Sequence, residues 1–156
     1  RSDDINVIDF WQKNNTPLDQ VSIILKSKGY NYGTHIWPHD ANARDRAGIT
    51  FVQQARPLGL TGIVLEPHGL IDGVNLVRST LSKCWFDRNK CAEGLKYLET
   101  YQKRWSNALG GWTSEAIHND ASHCADAFRY LACGFKRLAN SGTLEQDYKA
   151  LRSYFG

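Results

Sequence analysis

Thr34-His35-Ile36-Trp37-Pro38-His39-Asp40 is the stretch on which the fold turns. Its β-branched and aromatic residues predict a strand over 34–38 that delivers His39 and Asp40 at its C-terminal end. In α/β folds, ligand-binding groups gather where strands end, so a carboxylate there sits on a rigid element and faces an open crevice. The same aspartate could equally cap the turn or helix that follows.

Outward from that strand, helices and strands alternate. Upstream, residues 6–11 read as a strand, and Thr16 offers an N-cap with Pro17 at the first position of a helix over 18–28. Gly29 ends that helix. Downstream come a helix over about 46–56 and a strand over 62–66. A helix over 72–81 follows, with Val74, Val77 and Leu81 at helical spacing. An extended piece at 84–86 leads to Asp87, a candidate N-cap for a helix over 88–104. Residues 106–114, rich in Gly, Trp and Ser, read as a loop or hairpin. Ser122 is placed to cap a helix over 123–138, and a last helix is expected over 144–154. The alternation predicts an α/β layer architecture, and the excess of helices predicts a small or incomplete sheet. With 156 residues and no linker or repeat, one domain over 1–156 is expected.

Composition narrows the class without naming a function. Hydrophobic residues make up 42% and charged residues 22%, which excludes a disordered chain. The longest apolar runs, such as 21–25, are too short to span a bilayer, and no secretory signal opens the chain, so no membrane role is expected. Cys84, Cys91, Cys124 and Cys133 form no Cys-x-x-Cys pair, which argues against zinc and for reduced, packed thiols in a cytosolic compartment. The net charge of +3 is compatible with a polyanionic partner but does not require one.

A second motif, residues 118–130, can carry chemistry. As a helix beginning near Ser122, it puts Asp126 in an early turn, where the macrodipole favours a negative charge, with His123 on the same face. Asp126 then reads either as an exposed acid near a helix start or as a ligand, with Ala125 and Ala127 leaving it open to an ion or phosphate. Phosphodiester hydrolysis with two metals needs several carboxylates around divalent ions about 4 Å apart. Hard ions such as Mg²⁺ and Mn²⁺ prefer carboxylate oxygen, so Asp40 and Asp126 suit that task where cysteines do not.

The chain resembles the C-terminal nuclease domain of tailed-phage terminase large subunits, from about residue 6 to residue 135. The match runs through Lys28-Gly29-Tyr30, Gly33-Thr34-His35 and Pro38-His39-Asp40-Ala41, then Asp72-Gly73-Val74-Asn75 with Val77-Arg78. It continues through Cys84-Trp85-Phe86-Asp87 with Cys91, His118-Asn119-Asp120, Ser122-His123 and Ala125-Asp126-Ala127-Phe128-Arg129-Tyr130. The order and spacing of these pieces, rather than any one of them, carry the resemblance.

That family implies an RNase H-like mixed sheet flanked by helices and a Mg²⁺- or Mn²⁺-dependent endonuclease with two ions per site, cutting double-stranded DNA concatemers during genome packaging. By position in the motifs, Asp40 and Asp126 are the implied catalytic metal ligands, with Asp120 as a further ligand. His118, His123 and His39 are expected to orient ligands or contact phosphate. The family's first acidic ligand lies on a strand upstream of residues 6–11, so the sheet is expected to lack its first strands and the domain to be N-terminally incomplete. Asp9 falls in the wrong context to replace it, and Asp3 and Asp4 are terminal. No Gly-x-x-x-x-Gly-Lys-Ser/Thr loop occurs, so the ATPase motor is not expected here. The resemblance implies double-stranded DNA, an ATPase domain, a small terminase subunit and a portal as partners, and the host cytoplasm as location.

Arg44 and Arg129, with Arg46, Arg56 and Arg78, lie near the motifs and could neutralise phosphates without reading bases, or could be ordinary solvated surface. Trp105 and Trp112 flank the glycine-rich segment and could form a flap near DNA or pin that segment to the core. Two other readings stay open: a non-cleaving DNA- or motor-binding fragment, and another RNase H-like nuclease such as a resolvase or transposase.

Overall fold

Six strands and five α-helices follow one another in the computed structural model, which describes residues 4–67 and 69–140. The strands are β1 (Ile5–Val7), β2 (His35–Trp37), β3 (Gly62–Val64), β4 (Cys84–Phe86), β5 (Lys103–Ser106) and β6 (Gly111–Ala116). The helices are α1 (Leu18–Ser27), α2 (Phe51–Ala55), α3 (Leu70–Leu81), α4 (Ala92–Thr100) and α5 (Asp120–Asn140). The expected mixture of helix and strand is present. The strands form three separate two-stranded sheets: β1 with β4 and β2 with β3, both parallel, and β5 with β6, antiparallel. The described residues divide into two compact units, one holding residues 4–12 and Ile71–Arg129, the other holding Lys13–Leu70 and residues 130–140.

In the first unit, Ile5 pairs with Cys84 and Val7 with Phe86. The Phe86 and Phe128 rings meet at 5.9 Å, bringing α5 onto this strand pair. Ile5, Cys91, Ala121, Cys124 and Phe128 are buried. Gly94 of α4 lies against Phe10 so closely that a Cβ there would stand 2.7 Å from the ring. The cysteines behave as packed thiols: Cys91 Sγ donates to the Val7 carbonyl at 3.3 Å and Cys124 Sγ to that of Gly94 at 3.5 Å. Burial, assisted by Glu93, pushes the Cys124 thiol up to about 11. All four cysteines are free.

Helix and strand boundaries here depart from the sequence expectation. Asp87 does not cap a long helix; its carboxylate accepts the Asn89 and Lys90 amides at 2.9 Å and shapes a turn before α4. The segment expected as one helix over 88–104 ends at Thr100, because Tyr101 adopts an extended backbone and the chain pairs as β5. β1 stops at Val7, so Asp9 lies beyond the strand rather than within it, and its carboxylate accepts the Phe10 amide at 2.8 Å.

In the second unit, His35 pairs with Gly62 and Trp37 with Val64. A Cβ at position 62 would collide with the His35 carbonyl, so the close strand approach requires glycine. Gly134 plays the same part on α5, where a Cβ would stand 2.5 Å from Ile36 Cδ1. Ala41, Ala55, Leu60, Leu65, Ala132 and Leu138 form the buried apolar set, and Ser22 is satisfied by donating to the Leu58 carbonyl at 3.0 Å. α1 starts as expected beside Pro17, but Thr16 makes no cap bond to it. The helix expected over 46–56 is shorter. Asp45 Oδ1 accepts the Ala47 and Ile49 amides at 2.9 Å, and Gly48 takes a positive φ of 78°. That turn competes with helix, which begins only at the Thr50–Gln53 capping box. The helix expected over 144–154 lies outside the described residues.

Candidate functional site

Asp40 emerges directly from a strand end. β2 stops at Trp37, Pro38 holds an extended backbone, and His39–Asn42 turn as a short 3₁₀ helix. Ala41 is buried and anchors this turn, which leaves His39 and Asp40 facing solvent. Asp40 contributes its backbone carbonyl to the Ala43 amide at 2.8 Å, but its carboxylate caps nothing. Among the described residues that carboxylate has no hydrogen-bond or ion-pair partner. Capping therefore does not account for this aspartate.

Arg44 is occupied nearby in sequence. Its Nη1 donates to the Gly48 carbonyl at 2.6 Å, and its backbone bridges to Thr50. Holding this turn is its local task, although its side chain remains exposed.

The second motif is organised around the start of α5. Asn119 Oδ1 accepts the Ser122 amide at 3.1 Å, and Ser122 Oγ accepts the Asn119 amide at 3.0 Å. This reciprocal arrangement makes Asn119 the cap, three residues before the expected one. Ser122 is instead buried inside the first turn. Its Oγ also lies 2.7 Å from the Asn119 carbonyl and 3.3 Å from His118 Nδ1. The hydroxyl has one proton, and the shorter bond to the carbonyl takes it, so the imidazole is left as the donor. Ser122 and His118 are thus a cap and its support, not a nucleophile and base.

His118 and His123 meet edge to face, with ring centroids 4.8 Å apart. Asp120 opens α5, where the helix dipole favours its charge, and its carbonyl accepts Gln12 Nε2 at 3.2 Å. Asp126 stands on the same helix face as His123, three residues on, and its Oδ1 accepts Arg129 Nη2 at 2.8 Å. The Arg129 side chain is only 14% exposed, against 47% for that of Asp126, so the guanidinium is seated in the protein and the carboxylate faces outward.

For a divalent metal, the donors are of the right kind: hard carboxylate oxygens at Asp40, Asp120 and Asp126. Asp40 is open, and Asp126 shares one oxygen with Arg129. Among the described residues, no group of three or more His, Cys, Asp or Glu gathers to hold an ion. No helix among them is long and apolar enough to cross a membrane.

Sequence patterns left one feature unnoticed. Tyr32, His35, Trp37 and Phe51 form a continuous row of rings beside Asp40 in the chain, and burial lowers the pKa of His35 below its usual 6.5. Alternation along β2 puts His35 and Trp37 on one side and could have revealed half of that row. Compared with known proteins, the chain matches no family model, no curated protein and no solved structure.

Proposed function

We propose that this chain is a divalent-metal-dependent endonuclease with an RNase H-like fold, acting on double-stranded DNA in the manner of the phage terminase nuclease domains it resembles. The observation that carries this reading is Asp40: an exposed carboxylate without a partner among the described residues, set just past the end of a parallel strand. Asp126 supports it as a second outward-facing carboxylate on a helix whose motif follows in the resembled order. By the resemblance, Asp40, Asp126 and Asp120 are each expected to be ligands of Mg²⁺ or Mn²⁺, which when bound would supply Lewis acidity and an activated water. Arg129 orients Asp126, and with His123 it gives the start of α5 groups that could meet a phosphate. Packaging partners, namely an ATPase domain, a small subunit and a portal, and a place in the host cytoplasm belong to the same proposal.

A non-cleaving DNA- or motor-binding domain is the second reading. It is favoured by Arg129 occupying one oxygen of Asp126 and by the lack of a three-ligand group among the described residues. Nicking and linearisation of supercoiled plasmid in Mn²⁺ separates the two. Metal-dependent cutting is expected, with Asp40→Asn and Asp126→Asn each slowing it by about 100-fold or more, since even outer-shell losses at metal sites cost about 10- to 100-fold. An unaltered chain that binds plasmid without cutting it would establish the binding-only reading.

A further inference from the structure

The β5–β6 hairpin plays no part in the proposed hydrolysis, yet it carries three exposed large apolar side chains. Trp105 is 49% exposed, Trp112 60% and Leu109, at the turn, 77%. The two tryptophans are register partners across the strands, with ring centroids 5.2 Å apart and planes at 82°. In this edge-to-face arrangement the pair covers only one of its own four ring faces. Neither indole is pinned into a core, which removes one of the two roles open to them from sequence. Gly110 takes a positive φ of 59° to close the turn, and Thr113 Oγ1 lies 3.0 and 3.1 Å from the Arg104 and Glu115 carbonyls, either of which can take its one proton, stitching the irregular register behind the tryptophans. The rings are therefore presented on a braced scaffold.

Charge selects the occupant. Lys103 and Arg104 directly precede Trp105, and both are exposed. Among the described residues, the Arg104 side chain is held by a long, solvent-exposed ion pair to Glu115 at 3.8 Å, too weak to take it out of use. Flat, open aromatic faces next to cations suit a polyanion with stackable bases. A lipid surface would call for a broader apolar tip, and residues 107–110 offer Leu109 as their only large apolar side chain. Base faces are covered inside a duplex, so the bases must be unpaired or frayed at an end.

We propose that the β5–β6 hairpin binds single-stranded DNA, with bases stacking on Trp105 and Trp112 and phosphates meeting Lys103 and Arg104. For a chain that cuts duplexes, the frayed end left by a cut is the natural occupant, but the hairpin needs no cutting to bind.

The test uses the full chain in EDTA, so that it succeeds or fails independently of metal-dependent cleavage. Binding of a labelled oligothymidylate of about 12 nucleotides is followed by fluorescence anisotropy, beside a duplex closed at both ends and anionic phosphatidylserine vesicles. Saturable binding is expected for the oligothymidylate and weaker binding for the closed duplex. Trp105→Ala and Trp112→Ala should each weaken it roughly ten-fold. Trp105→Phe and Trp112→Phe should fall between, because a smaller ring still stacks; a hairpin that merely unfolds would lose as much with Phe as with Ala. Unchanged binding in the alanine variants, equal losses with Ala and Phe, or binding to vesicles or closed duplex in preference to the oligothymidylate would each overturn the proposal.

Discussion

The row Tyr32–His35–Trp37–Phe51 and the pair Trp105–Trp112 use the same kinds of ring for opposite ends. In the row, Tyr32 stacks on His35 at 5.8 Å and His35 on Trp37 at 5.3 Å, while Phe51 closes the end edge-on at 5.0 Å. Each inner ring is covered by its neighbours, and Tyr32 is tied down by its hydroxyl, which donates to the Leu25 carbonyl at 2.9 Å. Trp37 Nε1 is buried with no hydrogen-bond partner among the described residues. Such a donor costs about 1–3 kcal/mol, which the stacking around it must offset. On the hairpin the rings have mainly each other and solvent. What an aromatic residue does is decided by what covers its faces, and residue type alone does not say.

Trp37→Ala should bring the largest loss of stability, roughly 3 kcal/mol in urea-induced unfolding, because it opens the middle of a packed row. A loss below about 1 kcal/mol would put the row with the hairpin as a surface feature.

Acid comes next and probes the same row. Burial lowers the pKa of His35, so the folded chain binds its proton less readily than the unfolded chain does. The unfolded state therefore takes up more protons as the pH falls from its 6.5. The stability contributed by neutral His35 is present above that pH and is lost progressively below it. Unfolding midpoints measured from pH 7.5 down to pH 5 should fall more in the unaltered chain than in His35→Phe, which keeps a ring and removes the titration. Parallel profiles for the two proteins would show that His35 is solvated rather than packed.

The smallest effect is expected at the hairpin. Trp112→Ala should change unfolding free energy by no more than about 0.5 kcal/mol, because the ring is already mostly in water. A larger loss in the same unfolding measurement would make the pair part of a core and erase the contrast with Trp37.

Local signals located much of what positions the candidate site. The strand at His35–Trp37, the turn bearing His39 and Asp40, the strand at Cys84–Phe86 and the hairpin around Gly110 were all readable from β-branched and aromatic runs broken by Pro and Gly. Boundaries failed where two local preferences competed. Asp45 and Gly48 drew the chain into a turn that helical spacing over 46–56 did not reveal. Thr16 and Ser122 both looked like caps, yet Pro17 takes the cap position of α1 without a side-chain bond, and Asn119 takes the role at α5. A cap depends on backbone geometry as well as on a short polar side chain.

At the candidate site, sequence nominated Asp40 and Asp126 but could not describe their surroundings. Spacing put Asp126 one turn before Arg129, and only the folded side chains show a guanidinium that is itself largely buried, gripping one carboxylate oxygen at 2.8 Å. Nothing in the residues around Asp40 told ligand from cap; the empty hydrogen-bonding capacity of its carboxylate, beside a neighbouring alanine that anchors the turn, became visible only in three dimensions.

By itself, then, the sequence determined the α/β alternation, the approximate place of most elements and the order of its acidic motifs, because periodicity and turn chemistry act over a few residues. The tertiary structure alone decided which strands pair and which aromatic faces are covered. It also decided which polar groups are already satisfied, since these depend on residues far apart in the chain meeting within a few ångströms.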